Sequence, residues 1–356
     1  MKYPAILRFQ DILPQLDGFD TVIDVRSPAE FAEDRIPGAI NCPVLNDEER
    51  VRVGTLYKQA GAFEAKKLGA AIVARNIAQH LDTRFAGCAR DWKPLVYCWR
   101  GGERSGAMAH IMARIGWHVV QLDGGYKAYR RHVLAAMDEV ARRFSYRVLC
   151  GATGSGKSRL LQTLSALGAQ VLDLEQLAAH RGSLLGQLPD KPQPSQKAFE
   201  SGLWQTLRRF DPARPVYVES ESKKVGNLRV PDALMEIIRA SSCVALHLPM
   251  PERVALLMRD YAHFVAAPAD LNGQLDHLVQ QHGRERIGRW QELAAAGHMT
   301  EVVEALLTQH YDPAYLRSID RNFTCHGQAR MLALAGIAEA DFAQAARVLL
   351  ADDQVE

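Results

Sequence analysis

The chain has no long apolar run: no window reaches the roughly 18 to 20 residues that cross a bilayer. Met1-Lys2-Tyr3-Pro4 leads into a mixed polar stretch, without the apolar core of a secretion signal. A cytoplasmic chain with no membrane partner is expected. Clustered cysteines are also missing. The six (42, 88, 98, 150, 243 and 325) form no CxxC pair and have no short His spacing, which argues against a zinc site and a disulfide framework. No metal ligand set is assigned. Charge of one sign is lacking too: 43 Lys and Arg face 41 Asp and Glu, for a net +2, so bulk charge points to no nucleic-acid partner. Internal repeats and low-complexity tracts are absent, and Gly and Pro are not in excess.

What is present is length and alternation. At 356 residues the chain exceeds the size at which one core keeps growing, so two domains are expected. In the first 140 residues, apolar runs at Thr21 to Val25, Leu95 to Tyr97 and Val119 to Leu122 read as strands separated by helical patterns, which implies a parallel α/β sheet. A helix-favouring stretch from Arg130 to Phe144 precedes a new strand, Tyr146 to Cys150, and places a boundary near 140. Residues 141–356 form a second α/β domain with strands at Gln170 to Leu174, Pro215 to Glu219 and Cys243 to Leu248. From about 251 onward strands are expected to disappear into a helical C-terminal extension, with segments at Glu285 to Ala296, Met299 to Gln309 and Asp341 to Leu350. Gln187 to Gln196, with its three prolines, reads as an exposed loop or lid.

Two loops carry chemistry. The strand ending at Tyr97 delivers Cys98, then Trp99-Arg100-Gly101-Gly102-Glu103-Arg104-Ser105 and a helical pattern from Gly106 to Ile115. A short loop between strand and helix can curl its amides toward one point, and the helix N-terminus adds positive partial charge. Gly101 and Gly102 permit the curl, and Arg100 and Arg104 can add full charge, so an activated thiol beside an anion is expected at Cys98. A buried cysteine at a strand end is the competing reading, and it is assigned to the other five. Trp99 can stack on a planar or apolar ligand group, or simply cover the surface.

Val22-Ile23-Asp24-Val25-Arg26-Ser27-Pro28-Ala29-Glu30-Phe31, Ile36-Pro37-Gly38-Ala39-Ile40-Asn41 and Leu122-Asp123-Gly124-Gly125-Tyr126 resemble the opening and closing signatures of a rhodanese domain. The resemblance implies that Cys98 carries sulfur or selenium as a persulfide or perselenide. It also implies that Asp24 and Arg26 brace the loop, against the alternative of a surface ion pair.

The second loop, Gly151-Ala152-Thr153-Gly154-Ser155-Gly156-Lys157-Ser158, lies between strand Tyr146 to Cys150 and a helix through Leu167 and satisfies G-x-x-x-x-G-K-S. Its glycines let the backbone wrap a diphosphate, Lys157 supplies a point charge, and Ser158 is a candidate Mg²⁺ ligand. The motif specifies a polyphosphate, not ATP. The usual strand ending in Asp is not evident, and Glu219, Asp173 and Glu175 are the acidic candidates. His180-Arg181-Gly182-Ser183 either approaches the phosphate, through Arg181 and Ser183, or ends a helix. Glu219 to Gly226 either walls the pocket or forms a solvated turn.

A rhodanese domain followed by a P-loop NTPase-like α/β domain resembles the tRNA 2-selenouridine synthase family over nearly the whole chain. Further blocks carry the likeness: Asn46 to Arg50, Val53 to Gly61, Asp173 to Ser183, Pro194-Ser195-Gln196, Glu219 to Ser222 and Tyr311-Asp312-Pro313-Ala314-Tyr315. The resemblance implies conversion of wobble 2-thiouridine to 2-selenouridine through an S-geranyl intermediate. Geranyl diphosphate and selenophosphate would be co-substrates, no cofactor would be tightly bound, tRNA would be the partner, and a selenophosphate supply enzyme would be a candidate partner. Lys223, Lys224, Arg229, Arg284, Arg286, Arg289, Arg317 and Arg321 are the candidate tRNA phosphate contacts. A P-loop ATPase or kinase with a regulatory rhodanese module, and a plain sulfurtransferase, are the competing functions.

Overall fold

The computed structural model describes residues 3–183, 185–188 and 191–353. The chain divides into two compact units: residues 1–136 with 194–205, and residues 137–193 with 206–356.

The first unit is built on five parallel strands: β1 (Ala5–Leu7), β2 (Thr21–Asp24), β3 (Ile40–Asn41), β4 (Pro94–Tyr97) and β5 (Val120–Leu122), in the order β1-β5-β4-β2-β3. β4 is central and buried on both faces, as expected of a parallel strand covered by helices. β1 and β3 were not anticipated, because three and two residues are too short for a periodic signal. Between β3 and β4 lie two helices, Asp47–Ala60 and Ala62–His80; a capping box closes the first of them, with Asn46 and Glu49 each accepting the other's amide. The segment 194–205 returns to this unit, where the Ser201 hydroxyl donates to Asp34 at 3.1 Å.

The second unit carries another parallel sheet, β6 (Tyr146–Cys150), β7 (Gln170–Leu172), β8 (Val216–Glu219), a small hairpin β9 (Lys224–Val225) and β10 (Leu228–Arg229), then β11 (Ser242–His247) and β12 (Arg330–Ala333). The order is β12-β11-β6-β8-β7, so the chain reverses direction of growth at β6. Helix Lys157–Ala166 buries Leu160, Leu161 and Leu164 against this sheet, each leucine contributing about 1.5–3 kcal/mol by leaving water. Helices run from Met250 to Asn322 as expected, but the expected loss of strands after 251 fails at β12, which pairs in parallel with β11 at the sheet edge. Its Arg-Met-Leu-Ala sequence buries only Leu332, so it lacks the alternation that identifies a strand. Among the described residues, no helix is long and apolar enough to cross a membrane.

Candidate functional site

In the first unit, Gly101 and Gly102 adopt φ +71° and +77° in succession, a left-handed pair that turns the chain from β4 into helix Glu103–Ile115. A Cβ on Gly102 would lie 2.6 Å from Gln121 Nε2, whose amide donates to the Gly102 carbonyl and to Ser105 Oγ. Ser105 Oγ in turn donates to Cys98 Sγ at 3.4 Å, and the Cys98 thiol approaches the Arg100 carbonyl at 3.6 Å. Cys98 is 1% exposed, so the thiol sits beneath its loop. Arg100 is exposed, whereas Arg104 turns to Glu30 with contacts of 2.8 and 3.3 Å. Burial would raise the Glu30 carboxyl, but Arg104 holds it below its ordinary value. The charge expected of Arg104 is thus shared with a carboxylate on the opening segment.

Asp24 and Arg26 are no surface pair: both are buried, and Arg26 donates to both Asp24 oxygens and to the Asp34 carbonyl. The Arg26 guanidinium also stands 4.1 Å from the Tyr126 ring centroid, and Trp99 stacks on Tyr126 at 5.3 Å. The Tyr126 amide donates to the Cys98 carbonyl at 2.7 Å, which ties the closing glycine signature to the cysteine loop.

In the second unit, Gly154 and Gly156 of the phosphate loop take φ +78° and +88°, and Lys157 folds back to donate to the Gly151 carbonyl at 2.6 Å. The Ser158 hydroxyl donates to Glu175 at 2.8 Å, and the Glu175 amide donates to Glu219 at 2.8 Å. Burial, then the neighbouring Glu221, pushes the Glu175 carboxyl up to about 7; burial, then Asp173, raises fully enclosed Glu219 well above the carboxylate range. The acidic partner of the loop is therefore a stack, with Glu175 in front and Glu219 behind. Ser158 and Glu175 offer oxygen donors of the kind magnesium takes beside a diphosphate, where it keeps several waters.

The cleft over this loop holds about 300 Å³ and lies outside the carboxyl ends of the strands, at the switch point of the sheet. The two readings of His180 to Ser183 resolve together: helix Leu174–Ala178 ends at Ala179 (φ 49°), and Arg181, Gly182 and Ser183 then line the cleft. Arg181 donates to the Asp260 carbonyl at 2.6 Å and stacks over Tyr261. Ser220, Glu221 and Ser222 also face the cleft, whereas Lys223 pairs with Asp232. Of the expected lid, Pro189 and Asp190 lie outside the described residues, and Gln193 is anchored by its amide to the Ala178 and Val225 carbonyls.

Sequence reasoning missed the wall contributed by the helical region. Arg253, 7% exposed, donates twice to the Thr153 carbonyl and is held in a fork by Asp312 at 2.6 and 2.9 Å. Tyr311 and Tyr315, on either side of Asp312, line the cleft. A second cavity, almost wholly apolar, shares Thr153, Ser183, Leu257, Tyr261 and Tyr311 with the cleft and continues among Met258, Phe264, Leu271, Met299 and Leu306. Ser183, Tyr261 and Tyr311 line both spaces at this neck. The clustering of Tyr311-Asp312-Pro313-Ala314-Tyr315 was the one signal that pointed here.

Residues 144–331 match the tRNA 2-selenouridine synthase AAA domain, and residues 10–132 match the rhodanese-like domain. The chain belongs to the tRNA 2-selenouridine synthase family. It is 33% identical to the tRNA 2-selenouridine synthase of Hydrogenovibrio crunogenus over 85% of this chain and 92% of the relative. It is 35% identical to that of Marinobacter nauticus over 83% and 87%. The match to the Nitrosomonas europaea protein of the same name is 37% identical and spans 67% of this chain but 63% of the relative. For this family the phosphate loop and the cysteine loop fall in separate matched domains, one in each compact unit.

Proposed function

We propose that the protein converts 2-thiouridine at the wobble position of tRNA to 2-selenouridine, with geranyl diphosphate and selenophosphate as co-substrates. The observation that carries this reading is the neck shared by the phosphate cleft and the apolar cavity. A nucleotide base needs polar partners around its ring, whereas this cavity offers aliphatic and aromatic walls beside an anion site. That pairing suits an amphiphile with a diphosphate head and a hydrocarbon tail.

In the first step the 2-thiouridine sulfur attacks C1 of the geranyl group, the C1–O bond breaks, pyrophosphate departs and the N3 proton is released. Lys157 and the loop amides stabilise charge gathering on the pyrophosphate. Magnesium, when bound near Ser158 and Glu175, supplies further positive charge there. In the second step the selenium of selenophosphate, already at the selenide level, adds to C2, and water cleaves its P–Se bond to release phosphate. The geranylthio group leaves as the thiol, a far better departure than from an unalkylated thiocarbonyl. Cys98, with Gly101, Gly102 and Arg100 around it, assists delivery of the selenium anion.

The test is mass spectrometry of tRNA nucleosides from cells lacking the gene and complemented with variants. Lys157→Ala should abolish S-geranyl-2-thiouridine, and Cys98→Ala should let it accumulate without 2-selenouridine. Normal geranylation by Lys157→Ala removes the diphosphate assignment, and normal selenation by Cys98→Ala removes the cysteine's role.

A further inference from the structure

We propose that the floor of the apolar cavity, formed by Leu271, Met299 and Leu306, sets the length of the hydrocarbon tail that the phosphate cleft accepts. The inference rests on the diphosphate reading above and adds to it a steric ruler.

A diphosphate head held by the phosphate loop is fixed at one end, so its tail has to enter through the neck at Ser183, Tyr261 and Tyr311. Beyond the neck the cavity, about 60 Å³ and therefore narrow, lies among helices Met250–Asp260, Ala262–Ala266, Pro268–Leu275 and Met299–Leu306. Leu271, Met299 and Leu306 are each 4% exposed and belong at once to the cavity wall and to a buried cluster with Leu275, Ile287 and Trp290. Such residues cannot retreat without displacing a packed core. Overfilling a packed site is unfavourable even by single methylenes. A tail longer than the distance from loop to floor is therefore excluded by contact, and a shorter one leaves apolar wall uncovered. Val303 lies one turn along from Met299 on the same helix and faces the same cavity half-buried, so its side chain reads as a lateral stop.

The experiment uses the full chain and a 2-thiouridine tRNA with dimethylallyl, geranyl and farnesyl diphosphates in competition, products being separated by mass spectrometry. Met299→Ala, which deepens the floor, should raise the farnesyl-to-geranyl product ratio about tenfold or more, the scale on which apolar pockets discriminate added carbons. Val303→Phe, which fills the cavity, should lower geranyl transfer about tenfold or more while sparing the five-carbon donor. Thermal melts accompany both variants, and if Met299→Ala unfolds at the assay temperature, Val303→Phe decides alone. Wild-type product ratios in a folded Val303→Phe overturn the ruler. A wild-type protein that transfers none of the three groups, or a Lys157→Ala protein that transfers all of them, overturns the diphosphate reading and the ruler with it.

Discussion

Ser158, the last residue of the phosphate loop, donates its hydroxyl to Glu175 at 2.8 Å, so the loop meets a carboxylate whose burial beside Glu221 pushes it up to about 7. An unfolded glutamate titrates near 4.5. Between these values the folded protein binds a proton that the unfolded chain does not, so stability falls as pH rises through this window and the cost is complete above pH 7. Glu175→Gln keeps the acceptor for Ser158 and removes the charge. It should raise stability at pH 8 by on the order of 1–3 kcal/mol and leave it unchanged at pH 4, as read from chemical denaturation. Equal effects at both pH values would contradict the elevated carboxyl.

The same pairing predicts a magnesium effect. A diphosphate entering beside Glu175 and Glu221 meets negative charge, which a divalent cation between them offsets. Calorimetric binding of inorganic pyrophosphate should strengthen at least about tenfold on adding Mg²⁺, since magnesium commonly bridges one or two protein oxygens to substrate phosphates. Ser158→Ala should flatten that dependence. A wild-type affinity indifferent to Mg²⁺ and to EDTA would defeat the expectation.

Arg253 is the hidden brace of the loop, because its guanidinium is buried between the Thr153 carbonyl and Asp312. Asp312→Ala leaves that charge without its carboxylate and should cost about 2–4 kcal/mol, near the range for breaking a buried pair. Pyrophosphate affinity should fall with it, since Thr153 sits inside the loop. Asp312→Asn, which keeps one acceptor, should recover part of both losses. Denaturation midpoints and calorimetry on the three proteins check this.

The sequence carried the fold wherever a strand was long or a loop had a fixed purpose. β6 was bounded correctly because a five-residue strand with four buried residues ends at a glycine loop, and the turn at Gly101 and Gly102 was legible because successive left-handed angles demand glycine. β1, β3 and β12 were not legible, since two to four residues at a sheet edge leave no period to detect. At the site, Lys157, Ser158 and Cys98 were found because local spacing defines them. Arg253, Tyr261 and the apolar cavity were missed because their meaning depends on helices about 100 residues away folding back over the loop, as the bond from Arg253 to Thr153 shows. Arg104 was placed correctly in the chain, but its partner Glu30 is 74 residues distant and turns its charge aside.

Asp24 and Arg26 predict a stability effect in the first unit. The pair is buried at 0% and 1% exposure, and Arg26 also reaches the Asp34 carbonyl and the Tyr126 ring. Arg26→Ala orphans the Asp24 carboxylate and should cost about 3–5 kcal/mol. Arg26→Lys keeps the charge but not the fork and should lie between the two. If Arg26→Ala unfolds within about 0.5 kcal/mol of wild type, as surface changes do, the brace carries no weight.

The last prediction concerns access to Cys98. The thiol is 1% exposed under a loop fastened by Gln121 to the Gly102 carbonyl, whereas Cys88 and Cys325 are partly exposed. Without substrates, iodoacetamide should therefore label Cys88 and Cys325 before Cys98. Gly102→Ala places a methyl 2.6 Å from Gln121 Nε2 at a φ of +77° and strains the turn, at roughly 1–2 kcal/mol for the backbone alone. The loop should then open more often, and Cys98 labelling should accelerate relative to Cys88 and Cys325 in the same sample, which act as internal controls for general unfolding. Peptide mapping after timed alkylation reads all three at once. If Cys98 is labelled first in the wild type, the closed loop is not the resting state; if Gly102→Ala accelerates all three alike, the glycine guards the fold of the unit, not the thiol.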